Sequence, residues 1–213
     1  LLRQERLITT RQGAGSFVRP RSAHPSGLRP HLQAAFYADT VTIDFCGFSA
    51  ETLYNALAEP LDQVRNQELT PRSVTIRLLV CDMSAPVPWP ASSSPDATDE
   101  EVRARMALIT DRSVQSILHA AEELNGATVE VRTIAAPPLV KLLVVNGTEA
   151  WHGWYVVERR PVTIRGERVE ILDARGKDST LVPYTSEDDE GAEWIGVARR
   201  WFDALWEVGT IYE

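Results

Sequence analysis

Apolar positions along this chain recur with two periods, every second residue in short runs and every third or fourth in longer ones. The switches between them mark strands and helices. Thr42-Ile43-Asp44-Phe45-Cys46-Gly47-Phe48 and Val74-Thr75-Ile76-Arg77-Leu78-Leu79-Val80-Cys81 read as strands, over 41–48 and 74–81. Between them Leu53, Leu57, Leu61 and Val64 share a helical face, and Ser49 is placed to cap the first turn. The order is β-α-β, with Pro60 expected to kink or break the helix. A second helix opens on the capping box Thr98-Asp99-Glu100-Glu101. It carries Val102, Met106, Ile109, Ile117, Ala121 and Leu124 on one face as far as Asn125-Gly126. Strands follow at 128–134, 139–145 and 151–157, and a hairpin then joins 162–164 to 169–172 across Arg165-Gly166-Glu167. The last helix, roughly 192–206, stacks Trp194, Ala198, Trp201, Phe202 and Leu205. Strands alternating with helices predict an α/β domain, a mixed β-sheet flanked by helices.

Two interruptions divide this pattern. Residues 19–31 hold three Pro, a Gly and two Ser without periodicity, which predicts a linker. The division that follows is an appendage over 1–20, a linker over 21–34 and the main domain over 35–213. Residues 85–95, with four Pro and three Ser, read as a mobile surface loop. In the appendage, Leu7-Ile8-Thr9-Thr10-Arg11-Gln12-Gly13-Ala14-Gly15-Ser16-Phe17-Val18 has the form strand, tight turn, strand, with glycines supplying the turn.

Charge sharpens the division. Residues 1–31 carry six Arg against the single acid Glu5, so this segment is +5, and the rest of a chain of net charge −8 carries −13. A basic arm on an acidic body suits contact with phosphates by the arm alone. With 213 residues, 44% of them apolar, the main domain can build one sizeable core. No apolar run approaches the roughly 18 residues of a membrane span, and no charged segment followed by an apolar one opens the chain, so a cytoplasmic protein is expected. Cys46 and Cys81 lie in apolar strands without metal-ligand spacing; they are expected to be buried, free core residues, with no metal and no cofactor.

The run Leu7–Val18 resembles the end of a GntR-type winged helix-turn-helix domain, whose pattern is an apolar residue, Ile, a short polar run, then Gly-x-Gly-Thr/Ser-Phe-Val. In that family the wing follows the recognition helix, and this sequence starts beyond it, so the resemblance implies part of a longer transcriptional regulator. It also implies DNA as partner through the full winged helix domain, with Arg11, Gly13, Gly15 and Ser16 at the DNA-contacting positions. An ordinary hairpin at a domain edge is the alternative.

Residues 139–155 resemble the phospholipase D superfamily, whose site motif is His-x-Lys, four residues, Asp, six residues, Gly-Ser. Here Lys141 is followed by four apolar residues, Asn146, six residues and Gly153. The resemblance implies a phospholipase D-like α/β fold, and the departures from it imply lost catalysis. Leu139 stands at the nucleophile position, Asn146 at the carboxylate position and Trp154 at the polar position after Gly153. Loss of a nucleophile typically costs on the order of 10⁶ in rate. His152 is read as a core or solvent-facing residue rather than a substitute nucleophile.

Lys141 remains, an ammonium among apolar neighbours that must reach water, an acid or a ligand anion. Two readings stay open: an internal ion pair with Asp44, the only central carboxylate of a strand, or a ligand-binding cation with Asn146 beside it and Trp154 and Tyr155 as an aromatic wall. The functional expectation is a non-catalytic regulator whose main domain senses a small anionic effector and forms a homodimer. An active phosphodiesterase and a purely architectural dimerisation module are the alternatives.

Overall fold

The computed structural model describes residues 8–11, 15–18, 25–137, 139–174, 176 and 179–212. Two short strands, β1 (Ile8–Arg11) and β2 (Gly15–Val18), pair antiparallel with Ile8 opposite Val18 and Arg11 opposite Gly15. Their turn, with Gly13, lies outside the described residues. Within the expected linker, Pro25–Leu28 form a 3-10 turn and Arg29–Ala35 form α1, which bury Leu28 and Leu32. Along the chain follow β3 (Thr40–Gly47), α2 (Glu51–Arg65), β4 (Ser73–Cys81), β5 (Ala91–Ser92), α3 (Asp99–Glu122), β6 (Ala127–Ile134) and β7 (Val140–Val145). Then come β8 (Glu149–Trp154), β9 (Val157–Ile164), β10 (Glu167–Ala174), β11 (Val182–Thr185), α4 (Asp189–Val208) and β12 (Thr210–Ile211).

The expected α/β architecture is present as a seven-stranded mixed sheet in the order β11-β8-β7-β3-β4-β6-β12, beside a three-stranded sheet β5-β10-β9. β3, β4 and β6 run parallel, joined by the crossover helices α2 and α3, whereas β7 runs antiparallel to β3. Helices cover both faces of the large sheet, which is why its central strands read as nearly unbroken apolar runs. On one face Ile43, Phe45, Ile76, Leu78 and Leu143 meet Leu53, Leu57, Val114 and Ile117 from α2 and α3. On the other, Cys46, Leu79, Leu142 and Val144 meet Ile195, Ala198, Phe202 and Trp206 from α4. Burial of one such side chain contributes about 1.5–3 kcal/mol, so these two seams hold the layers together. No helix among the described residues is long and apolar enough to cross a membrane.

Local expectations meet the structure with several corrections. The capping box forms, Thr98 Oγ1 accepting from Glu101 N–H and the Glu101 carboxylate from Thr98 N–H. The β9–β10 hairpin is longer than expected and turns through Arg165 and Gly166, both at positive φ, as a two-residue type I′ turn requires. Ser49 does not cap α2: Ala50 does, with no side-chain hydrogen bond. Pro60 does not break the helix, which runs continuously through it with Pro60 turned into the core. The 85–95 loop is not a free surface loop, because Val87 and Pro90 are buried and β5 pairs with β10. At the start of α4, Asp188 caps the helix through Gly191 N–H, and Asp189 and Glu190 occupy its first turn, where the helix dipole favours acids. The buried stripe of α4 is Ile195, Ala198, Phe202 and Trp206, whereas Trp201 is exposed.

Candidate functional site

β3 ends at Gly47, and the chain passes through Phe48 and Ser49 into α2. β7 begins at this same corner of the sheet, because Leu142 pairs with Cys46 and Lys141 lies one step beyond, opposite Gly153 on β8. Side chains alternate along β7, so Lys141 shares the face of Leu143 and Val145 and points under the start of α2. Gly176 and the β9–β10 hairpin close the corner, leaving a cleft of about 210 Å³.

Lys141 is the buried cation of this cleft, 2% exposed. Its ammonium donates to the Gly176 carbonyl at 2.7 Å and to Thr52 Oγ1 at 3.2 Å, and lies 5.9 Å from the centre of the Tyr155 ring. Burial pulls its pKa down from 10.5 to about 8, opposed by the nearby Glu51 carboxylate. Tyr155 is held from the other side, its hydroxyl oxygen accepting from Phe48 N–H at 3.1 Å, and burial pushes its pKa up. Gly176 packs closely: a Cβ there would lie 3.2 Å from both Lys141 Nζ and the Tyr155 ring, so these side chains would have to give by a few tenths of an ångström.

The remaining polar walls divide into paired and unpaired groups. Arg160 grips the fully buried Asp173 carboxylate, with its Nε 2.9 Å from Oδ2, while Oδ1 accepts from Ala174 N–H at 2.8 Å. That ion pair is self-contained. Arg105 of α3 and Ser49 also line the cleft, both half-buried, and neither side chain has a hydrogen-bond or ion-pair partner among the described residues. The first N–H groups of α2 open beside them, without a side-chain cap. Phe48, Met106 and Ile109 supply apolar wall. An arrangement of this kind can hold a small anion with an apolar body. Among the described residues its lining contains no His and no Cys.

Of the residues singled out in the sequence, the structure brings Lys141 and Tyr155 into one cleft and disperses the others. The ion pair between Lys141 and Asp44 does not form. Asp44 lies opposite Val144, and directly opposed residues share a face, so Asp44 projects from the other side of the sheet. There it accepts two bonds from Arg77, at 2.7 and 2.8 Å, and Arg77 also reaches Asp203 at 2.9 Å. Asn146 is at the far end of β7, in a turn where its φ is +52°. Its side chain joins that turn to β3 and α1, accepting from Thr42 N–H at 2.9 Å and donating to the Ala35 carbonyl at 3.1 Å. Trp154 is 66% exposed and meets His152 edge-on, so it forms no wall of the cleft. Leu139 is exposed as well.

His152 stacks on Trp194 and Tyr184, and burial lowers its pKa. Cys46 and Cys81 are buried and form no disulfide, and burial raises each thiol to about 12. Gly153 is explained by packing, since a Cβ would fall 2.5 Å from the Thr180 carbonyl oxygen. Arg11, Gly15 and Ser16 sit on the β1–β2 hairpin, and Gly13 is outside the described residues. Among the described residues no cluster of His, Cys, Asp and Glu could hold a metal ion.

Sequence reasoning missed Arg105, Ser49 and Arg160 as members of the cleft, whereas Asp173 opens the polar run 173–178, which reads as a turn at a pocket rim. The pairing of Arg160 with Asp173 also left a signal. Once the turn at Arg165-Gly166 is seen, extending its ladder places Arg160 and Asp173 diagonally on one face, as an opposite-charge pair. Compared with known proteins, the chain matches no protein-family model and no curated protein.

Proposed function

We propose that this chain is the effector-sensing and dimerising part of a transcriptional regulator, on a phospholipase D-like domain without catalysis. The observation that carries the reading is Lys141: an amine kept almost fully buried in a cleft, with its expected internal carboxylate on the other face of the sheet and beside it Arg105, unpaired among the described residues. A cation in such a cleft attracts an anion more strongly than one in water. The phosphodiesterase alternative needs a nucleophile, and with Leu139 exposed and no imidazole among the described lining residues, Lys141 would have to act without the group that attacks phosphorus.

The DNA-contacting role belongs to the basic arm and its β1–β2 hairpin, read as the wing on the strength of the residues Gly15-Ser16-Phe17-Val18 and the charge of +5 over residues 1–31. A wing supplies backbone and minor-groove contacts, whereas base readout needs a recognition helix. The chain therefore binds random duplexes weakly, with an affinity that falls as salt rises and weakens further in Arg11→Ala. Fluorescence anisotropy across a salt series tests this, and tight, sequence-selective binding at physiological salt would refute it. Dimerisation is the natural counterpart of two-fold operators, and the exposed outer stripe Val197, Trp201 and Val208 of α4 is the surface assigned to it.

A further inference from the structure

We infer that the cleft under α2 takes a monoanionic carboxylate carried on a single-ring apolar body, and not a phosphate dianion; this rests on the effector-binding reading above and specifies its ligand. Charge decides the head group. Among the described lining residues the cations are Arg105, Lys141 and Arg160, and the anions are Glu51 and Asp173. Arg160 and Asp173 neutralise each other through their buried contact, and Glu51 is the charge that acts on Lys141. Among these residues one positive charge is left, on Arg105. A carboxylate balances it, while a phosphate dianion would bring an unmatched negative charge into a space of low dielectric.

Geometry agrees with the head group. A guanidinium presents a planar fork that matches a carboxylate through two parallel bonds. The Ser49 hydroxyl and the uncapped start of α2 supply further donors at the same corner. Size and lining decide the body. A dry cavity of roughly 150 Å³ accommodates benzene, so about 210 Å³ holds one ring with a carboxylate and a short link. Phe48, Met106, Ile109 and Tyr155 offer that ring an apolar seat. The contacts that keep the Lys141 ammonium on Gly176 and Thr52 use two of its three protons, leaving the third for the ligand.

The test is calorimetric titration of the full chain at pH 7 with phenylacetate, acetate, benzyl alcohol, phenyl phosphate and inorganic phosphate as probes. Phenylacetate is expected to bind at least tenfold tighter than each of the others. Arg105→Gln weakens phenylacetate by at least tenfold and leaves its melting temperature within a degree or so of the parent, as expected for an unpaired surface-cleft side chain. Trp154→Ala, outside the cleft, leaves binding unchanged. Phenyl phosphate binding tighter than phenylacetate, and lost in Arg105→Gln, would overturn the carboxylate assignment while leaving an anion-sensing cleft in place. Failure of every probe to bind at millimolar concentration, with Arg105→Gln and Lys141→Met indistinguishable from the parent, would overturn both the assignment and the effector-binding reading beneath it.

Discussion

Replacing Lys141 by Met should make the domain more stable at neutral pH, although it removes two hydrogen bonds. Burial holds the lysine pKa at about 8 instead of 10.5, which at about 1.4 kcal/mol per tenfold change corresponds to about 3 kcal/mol against the charged form. The side chain is 2% exposed, so water screens little of this. In the other direction, the Gly176 carbonyl loses its 2.7 Å donor, an uncompensated acceptor costing about 1–3 kcal/mol. Met fills most of the space of the lysine stem. The net expectation at pH 7 is a gain of about 0–2 kcal/mol, or a melting temperature up to about 8 °C higher for a domain of this size.

The pH dependence carries the sign. Between pH 8 and 10.5 the folded parent has released the Lys141 proton while the unfolded chain still binds it, so parent stability rises through this window relative to the variant. Below pH 8 both states are protonated and the burial cost is borne in full. Urea denaturation of both proteins at intervals from pH 6 to 10 measures the difference. The advantage of Lys141→Met should shrink by about 3 kcal/mol and change sign. A difference that stays flat over that range, or a variant destabilised at pH 7 by about 2 kcal/mol or more, would refute the reasoning and make Lys141 part of a stabilising ion pair.

Three further outcomes follow from the packing. Asp44→Ala should cost about 2 kcal/mol by leaving the partly buried Arg77 guanidinium without its two-pronged partner, and Arg77→Met in the same chain should recover much of it in a double-mutant cycle. Gly191→Ala should destabilise by about 1–3 kcal/mol, since a Cβ would lie 2.0 Å from the Thr185 carbonyl oxygen and neither backbone can move without unseating the start of α4; denaturant melts with an unchanged slope would show it. Sedimentation at tens of micromolar should give a dimer of the 23.7 kDa chain, and a clean monomer contradicts the two-fold regulator.

The elements were legible where the hydrophobic period was long and its ends were signalled, as in α3 with its capping box and the hairpin at Arg165-Gly166. They were less legible where tertiary packing overrode local rules. Pro60 survives inside α2 because the helix is pinned to the core on that face, and the Pro-rich loop is anchored by Val87, which packs with Phe48, Met83 and Met106. The cleft was half legible. A lysine in an apolar strand announces itself, but its partners depend on which residues lie across the sheet. Asp44 and Lys141 both look central in sequence, and only the pairing of Asp44 with Val144 reveals that they occupy opposite faces. Arg105 gave no signal at all, since an arginine on an amphipathic helix looks like any solvated charge until the neighbouring hairpin encloses it.

A side chain that costs stability where it stands is informative, because a simple exchange to Met would relieve the cost if nothing used the charge. The use proposed here carries its own proton signature. An anion seated beside Nζ favours the ammonium, so the pKa of Lys141 rises from about 8 when the ligand binds. Near pH 8, where about half of the free protein lacks that proton, binding must take up a proton, and near pH 6, where the amine is already charged, it must not. Calorimetry of phenylacetate binding in two buffers of different ionisation enthalpy reads the uptake directly. About half a proton at pH 8 and none at pH 6 is expected, and the uptake should vanish in Lys141→Met, which keeps Arg105 and some residual affinity. Proton-neutral binding at pH 8 would place the anion away from the ammonium and confine recognition to Arg105 and the start of α2.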